Sequence, residues 1–148
     1  MDTRTNLWRT IALVTVSFAA GSLITAHLMG TKTVQAQSSR VFELRVYHTL
    51  PGRLPALESR FRDHTIQIFN RHQMTSIGYW IPQDAPQKEN TLIYILAHQS
   101  RESAKKNWAE FGADPEWQKV AKASEADGKI VEKVDSTFMN PTDFSALK

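Results

Sequence analysis

The alternation in Val41 to His48, VFELRVYH, is the sharpest pattern in the chain. Phe42, Leu44 and Val46 fall on one side, and Glu43, Arg45 and Tyr47 on the other, the period of two that marks a strand with one buried face. The apolar side is read as the floor for a following helix. That leaves the charged side to water, a ligand or a second subunit. After the turn signal Pro51-Gly52, Leu54, Leu57, Phe61, His64, Ile68 and His72 recur at three- and four-residue spacing. They predict an amphipathic helix of about five turns, with His64 on its inward stripe beside Leu57, Phe61 and Ile68.

Met74 to Ile81 predicts a second strand, with Ile77 and Tyr79 on one face and Gly78 and Trp80 on the other, stopped by Pro82. The polar segment Gln83 to Asn90 is read as a long hairpin loop. Thr91 to His98, TLIYILAH, is the most β-prone run and predicts an interior strand. Ser100 is placed to cap a helix carrying Ala104, Trp108 and Phe111 inward. Asp114-Pro115-Glu116 restarts a second helix with Trp117, Val120, Ala121 and Ser124 inward. Lys129 to Phe138 returns as the last strand, and residues 139–148 form a polar tail. Strand, helix, strand, strand, helix pair, strand is the order of two split βαβ units. The expected fold is α+β: a ferredoxin-like four-stranded antiparallel sheet with helices on one face. The other face is then uncovered, and Arg45, Tyr47, Trp80, Tyr94 and His98 are assigned to it, a set too apolar to be left to solvent.

Ahead of this domain, Arg4 and Arg9 precede a mostly apolar stretch, Ile11 to Met29, that holds no Asp, Glu, Lys or Arg. Residues 1–36 are read as a signal peptide or N-terminal membrane anchor, and 37–40 as a polar spacer. Val34-Gln35-Ala36 places small residues where a signal peptidase inspects them, so cleavage after Ala36 is expected and the uncleaved anchor is its alternative. The two arginines put the N-terminus on the cytoplasmic side. The domain is accordingly expected in the periplasm or secreted, or outside the inner membrane if anchored.

The formal charge of +3 changes this picture little. Arg4, Arg9 and Lys32 against Asp2 leave 15 basic and 14 acidic side chains beyond residue 36, a near-neutral domain with no electrostatic case for nucleic acid. Cysteine is absent, which excludes disulfides, a thiol nucleophile, thiolate metal sites and a lipid-attachment cysteine.

ELRVY followed by PGR, a helix containing Phe61, His64 and His72, Gly78-Tyr79-Trp80, and WAEFGADPEW from Trp108 to Trp117 together resemble the NIPSNAP family over Val41 to Phe138. The resemblance implies a dimeric α+β barrel, in which two ferredoxin-like subunits pack their sheets face to face. It implies no settled enzymatic activity. Barrels of this architecture include haem-binding and haem-degrading enzymes, so a monooxygenase-like or haem-handling enzyme is one alternative, with His64 or His98 as axial ligand. A structural interaction module is the other.

The main expectation is an exported homodimer that binds a small molecule or partner in or around an inter-subunit cavity. Arg45, Tyr47, His64, Trp80, Tyr94 and His98 are its candidate lining, because aromatic walls with one guanidinium suit a small organic anion. An ion pair of Arg45 with Glu43 is the plainer reading of that strand. No metal site is expected, since His64 and His72 stand two helical turns, ~12 Å, apart. No catalytic residue is assigned, because no phosphate loop, Ser-His-Asp spacing or close carboxylate pair is present.

Overall fold

The computed structural model describes residues 40–148; the leader, its cleavage site and most of the spacer lie outside them. Four strands, β1 (Val41–Thr49), β2 (Thr75–Trp80), β3 (Thr91–His98) and β4 (Val131–Met139), form one sheet in the order β2-β3-β1-β4. Every neighbouring pair is antiparallel. Between them run α1 (Leu54–Arg60), continued through a π-turn at Phe61–Thr65 into α2 (Ile66–Arg71), then α3 (Arg101–Ala113) and α4 (Pro115–Ser124). The helices cover one face of the sheet, which is the ferredoxin-like α+β arrangement that the element order predicts.

The helix starts follow the predicted chemistry. Ser100 Oγ accepts the Ser103 N–H at 3.1 Å, and Asp114 Oδ1 accepts those of Glu116 at 2.8 Å and Trp117 at 3.2 Å. Asp114 Oδ2 also takes His72 Nε2 at 2.8 Å and Arg71 Nη2 at 3.3 Å, tying the end of α2 to the start of α4. His72 first, with the backbone N–H groups and Arg71, holds the Asp114 carboxyl well below its usual range although burial opposes it.

Two expectations are corrected. The faces of β1 are reversed: Tyr47 meets Phe61 edge-on at 5.7 Å, Arg45 stacks on Trp108 and Glu43 bonds Trp108, so these three lie under the helices. Leu44 and Val46 line the open face, in register with Ile95 and Ile93 of β3, and Phe42 with its partner Ala97 shares that side of the sheet but is buried. An acid survives under helices because it finds donors there, whereas the alternation of a strand reports two faces without saying which is covered.

The second correction is the long helix. Ile66 N–H returns to Phe61 O, five residues back, and the turn absorbs one residue more than an α-turn. Thr65 therefore takes the buried position expected of His64, and His64 is exposed. Thr65 Oγ1 donates at 3.1 Å to the Arg60 carbonyl. Thr65→Val keeps the shape but leaves this buried carbonyl without its hydroxyl, and is expected to cost about 1 to 2 kcal/mol in a urea melt. An unchanged midpoint would show that the hydroxyl is dispensable to the turn.

The core between sheet and helices holds Leu54, Leu57, Phe61, Ile68, Phe69, Met74, Leu92, Tyr94, Leu96, Phe111 and Ile130. Gly78 shares the open face with Trp80, whose ring stands where a Cβ on residue 78 would come within 2.7 Å.

Candidate functional site

The most concentrated chemistry in the domain is built on Glu43, which is 1% exposed. One carboxylate oxygen accepts Arg45 Nη1 at 2.9 Å and Ser136 Oγ at 2.7 Å; the other accepts His98 Nε2 at 3.0 Å and Trp108 Nε1 at 2.6 Å. The sheet register makes this possible. Glu43 pairs with Leu96 on one side and Phe138 on the other, which brings His98, two residues along β3, and Ser136, two along β4, to the same face. Trp108 reaches down from α3. Burial alone would raise the Glu43 pKa, but the bonds from His98, Trp108, Ser136 and Arg45 outweigh it and hold the group at about 2. The carboxylate is a fixed anion, not a general base, because all its strong lone pairs are used.

Arg45 extends from this anchor. Its guanidinium lies 4.2 Å from the centre of the Trp108 ring and 5.5 Å from that of Tyr47, with Nη2 3.5 Å from the Tyr47 hydroxyl and Nε unpaired. Burial opposes its charge, and Tyr47, Tyr94 and Glu43 more than offset that, so it stays firmly protonated. Beside it opens a cleft of about 580 Å³ between α3 and the β1–β4 edge, lined by Glu43, Arg45, Arg101, Lys105, Trp108 and Phe138 among others. Arg101 stands 3.4 Å over the Phe138 ring. With Glu43 saturated, the cationic side chains Arg45, Arg101 and Lys105 set the sign of this cleft against the single exposed acid Glu102.

The six residues expected to share one cavity are divided. Arg45 and Tyr47 lie together under the helices. Tyr94 is wholly buried beside them, its hydroxyl donating to that of Tyr47 at 3.3 Å, and burial pushes its pKa up. His98 is buried against Glu43, leaving Nδ1 without a partner. Trp80 is on the opposite face of the sheet, 49% exposed, and His64 is exposed on the outer side of the π-turn. The ring of residues around an open sheet face is therefore not formed. Sequence reading missed Trp108, Ser136 and Arg101. A buried acid requires donors, so once Glu43 is placed inside, a Trp and a Ser on facing elements become the residues to seek. Among the described residues no cluster of His, Asp and Glu has the arrangement of a metal site.

For haem, His98 is the expected axial ligand inside the domain, but its Nε2 is committed to Glu43 and its ring is packed against Phe138 with no exposed surface. His64 stands in the open on the helix side. The buried, engaged His98 does not fit a haem pocket.

The fold and this interior define a ferredoxin-like α+β domain with one open sheet face. The NIPSNAP family model matches residues 42–146, and the chain belongs to that family. A NIPSNAP family protein with unknown function from Agrobacterium tumefaciens is 26% identical, covering 75% of this chain and 96% of its own, with a TM-score of 0.65. A second NIPSNAP family protein from that organism is 21% identical over 74% of this chain and 99% of its own, with a TM-score of 0.64. An uncharacterized NIPSNAP-like domain protein from Burkholderia xenovorans is 20% identical over 75% and 93%, with a TM-score of 0.64. Among curated proteins none matches the chain.

Proposed function

We propose that this NIPSNAP-family chain is an exported homodimer that binds a small organic anion in the cleft between α3 and the sheet. The observation that carries the reading is the Arg45 guanidinium. Its side chain is 17% exposed, it is pinned by the saturated Glu43 and the Trp108 ring, and it faces a cleft that also holds Arg101 and Lys105. A guanidinium with a fixed plane and unused N–H groups suits a carboxylate, and the Trp108 and Phe138 rings suit an unsaturated carbon frame. The open sheet face supports the dimer, since Leu44, Val46, Ile93, Ile95 and Trp80 make one apolar surface on the side away from the cleft. Pairing two such faces leaves both clefts accessible. Export rests on the leader pattern at Arg4 to Ala36.

The test is calorimetric titration with benzoate, comparing the native protein with Arg45→Met. Methionine keeps much of the stem and Glu43 keeps Ser136, His98 and Trp108, so folding is expected to survive. Affinity should fall about ten- to hundredfold, the equivalent of roughly 1.5 to 3 kcal/mol for a shielded charge-assisted contact. Equal affinity in the two proteins would remove Arg45 from the site. It would leave the guanidinium as the ion-pair partner of Glu43.

A further inference from the structure

The second buried arginine of the domain, Arg60, is poorly satisfied. Its side chain is 6% exposed, yet its contacts are long: Nη1 is 3.4 Å from Ser124 Oγ and 3.5 Å from Glu125 Oε1. Its Nε has no partner. The Trp117 ring beneath it, 5.4 Å away, gives the stem a rigid backing. Burial lowers the Arg60 pKa below its ordinary value, which for a guanidinium means a charge that its surroundings do not fully offset.

This guanidinium opens onto a cleft of about 660 Å³ between α1 with its π-turn and α4. Ala56, Val120 and Ala123 form apolar walls, and Ser59, His64 and Lys119 stand on the rim. The π-turn is what brings His64 here: the residue it adds rotates His64 off the core stripe and onto this edge. Two acids also line the cleft. Glu116 is engaged by Arg71 at 2.8 Å, and Asp63 is exposed at the mouth. With Asp63 and Glu116 nearby, a dianion meets repulsion that a monoanion escapes in part, and short apolar walls favour a short alkyl group.

We infer that the Arg60 cleft is a binding site for a short monocarboxylate, separate from the Arg45 cleft, with the carboxylate on the guanidinium and the alkyl chain against Ala56, Val120 and Ala123. Arg60 supplies its charge from the base of the cleft, and Lys119 and His64 stand at the rim. The site lies on the helical side of the domain, so a dimer formed through the open sheet face leaves it free.

The experiment is calorimetric titration of the full chain with butyrate, and with inorganic phosphate at matched ionic strength. Butyrate is expected to bind saturably, and phosphate at least tenfold more weakly. Arg60→Met should weaken butyrate by about tenfold or more. Because Arg60 also packs on Trp117, Ala123→Leu serves as the second variant: it narrows an exposed wall without touching the guanidinium, and it too should weaken butyrate severalfold. Benzoate affinity should be unchanged in Arg60→Met and Ala123→Leu, which separates this site from the benzoate site. Butyrate binding that survives both Arg60→Met and Ala123→Leu, or benzoate binding that is lost with them, overturns the inference. So does phosphate binding as tightly as butyrate.

Discussion

Glu43→Gln is expected to lower the unfolding free energy by about 3 to 5 kcal/mol, the usual cost of removing one member of a buried charge pair. The carboxylate accepts from Arg45, Ser136, His98 and Trp108 at once, two donors on each oxygen. A glutamine amide has one oxygen and one NH₂. Whichever way it is turned, the NH₂ points at two donors, and Arg45 keeps a buried charge with no counterion. Urea melts with fixed slope measure this directly. A loss under 1 kcal/mol would mean that water enters the cluster and satisfies it, and that Glu43 does not hold Arg45 in place. The same group sets acid sensitivity. Its pKa falls from an ordinary 4.5 to about 2 on folding, so the unfolded chain binds more protons below pH 4.5. The stabilisation is complete above that value and is lost as pH falls through about 2. Between those limits the native protein should lose stability with falling pH more steeply than the glutamine variant.

The order of elements, the caps at Ser100 and Asp114 and the ferredoxin-like sheet were legible because each rests on local chemistry: period, breaker residues and a side-chain oxygen at a helix start. What could not be read was which side of β1 the helices take. Phe42, Leu44 and Val46 look like a core, and in a dimer of the proposed kind they would be one. In the single chain Leu44 and Val46 stay half-buried on the open face, while the charged side is buried against Trp108 and Phe61. Tyr47, Tyr94 and His98 followed that inversion, and Arg45 kept a site role only by opening onto a different cleft. His64 was misplaced for another reason. A phase computed at 3.6 residues per turn fails after a π-turn, and nothing in FRDHT announces one beyond a threonine able to bond the freed carbonyl.

The open face yields the other large effect. Ile95 sits near its centre, opposite Leu44 on β1 and Gly78 on β2, with Ile93 and Trp80 adjoining along the strands. In a single chain these side chains are half-buried by one another, and Trp80 remains 49% exposed, which leaves an apolar surface that water penalises. Residues 37–148 form a compact unit and should give twice the chain mass in light scattering at micromolar concentration. A stable interface of this type buries about 1,200 to 2,000 Å² in total. Ile95→Lys places an ammonium on that surface in both copies, because a two-fold interface uses each residue twice. Losing about 1.5 to 3 kcal/mol of apolar burial per copy amounts to roughly 3 to 6 kcal/mol per dimer, a weakening of at least about a hundredfold. The variant should run as a folded monomer whose circular dichroism matches the native protein, because Ile95 points away from the helix-covered core. A native protein that is already monomeric, or a lysine variant that keeps twice the chain mass, would remove the sheet face as the interface and leave Leu44, Ile93 and Trp80 without a partner.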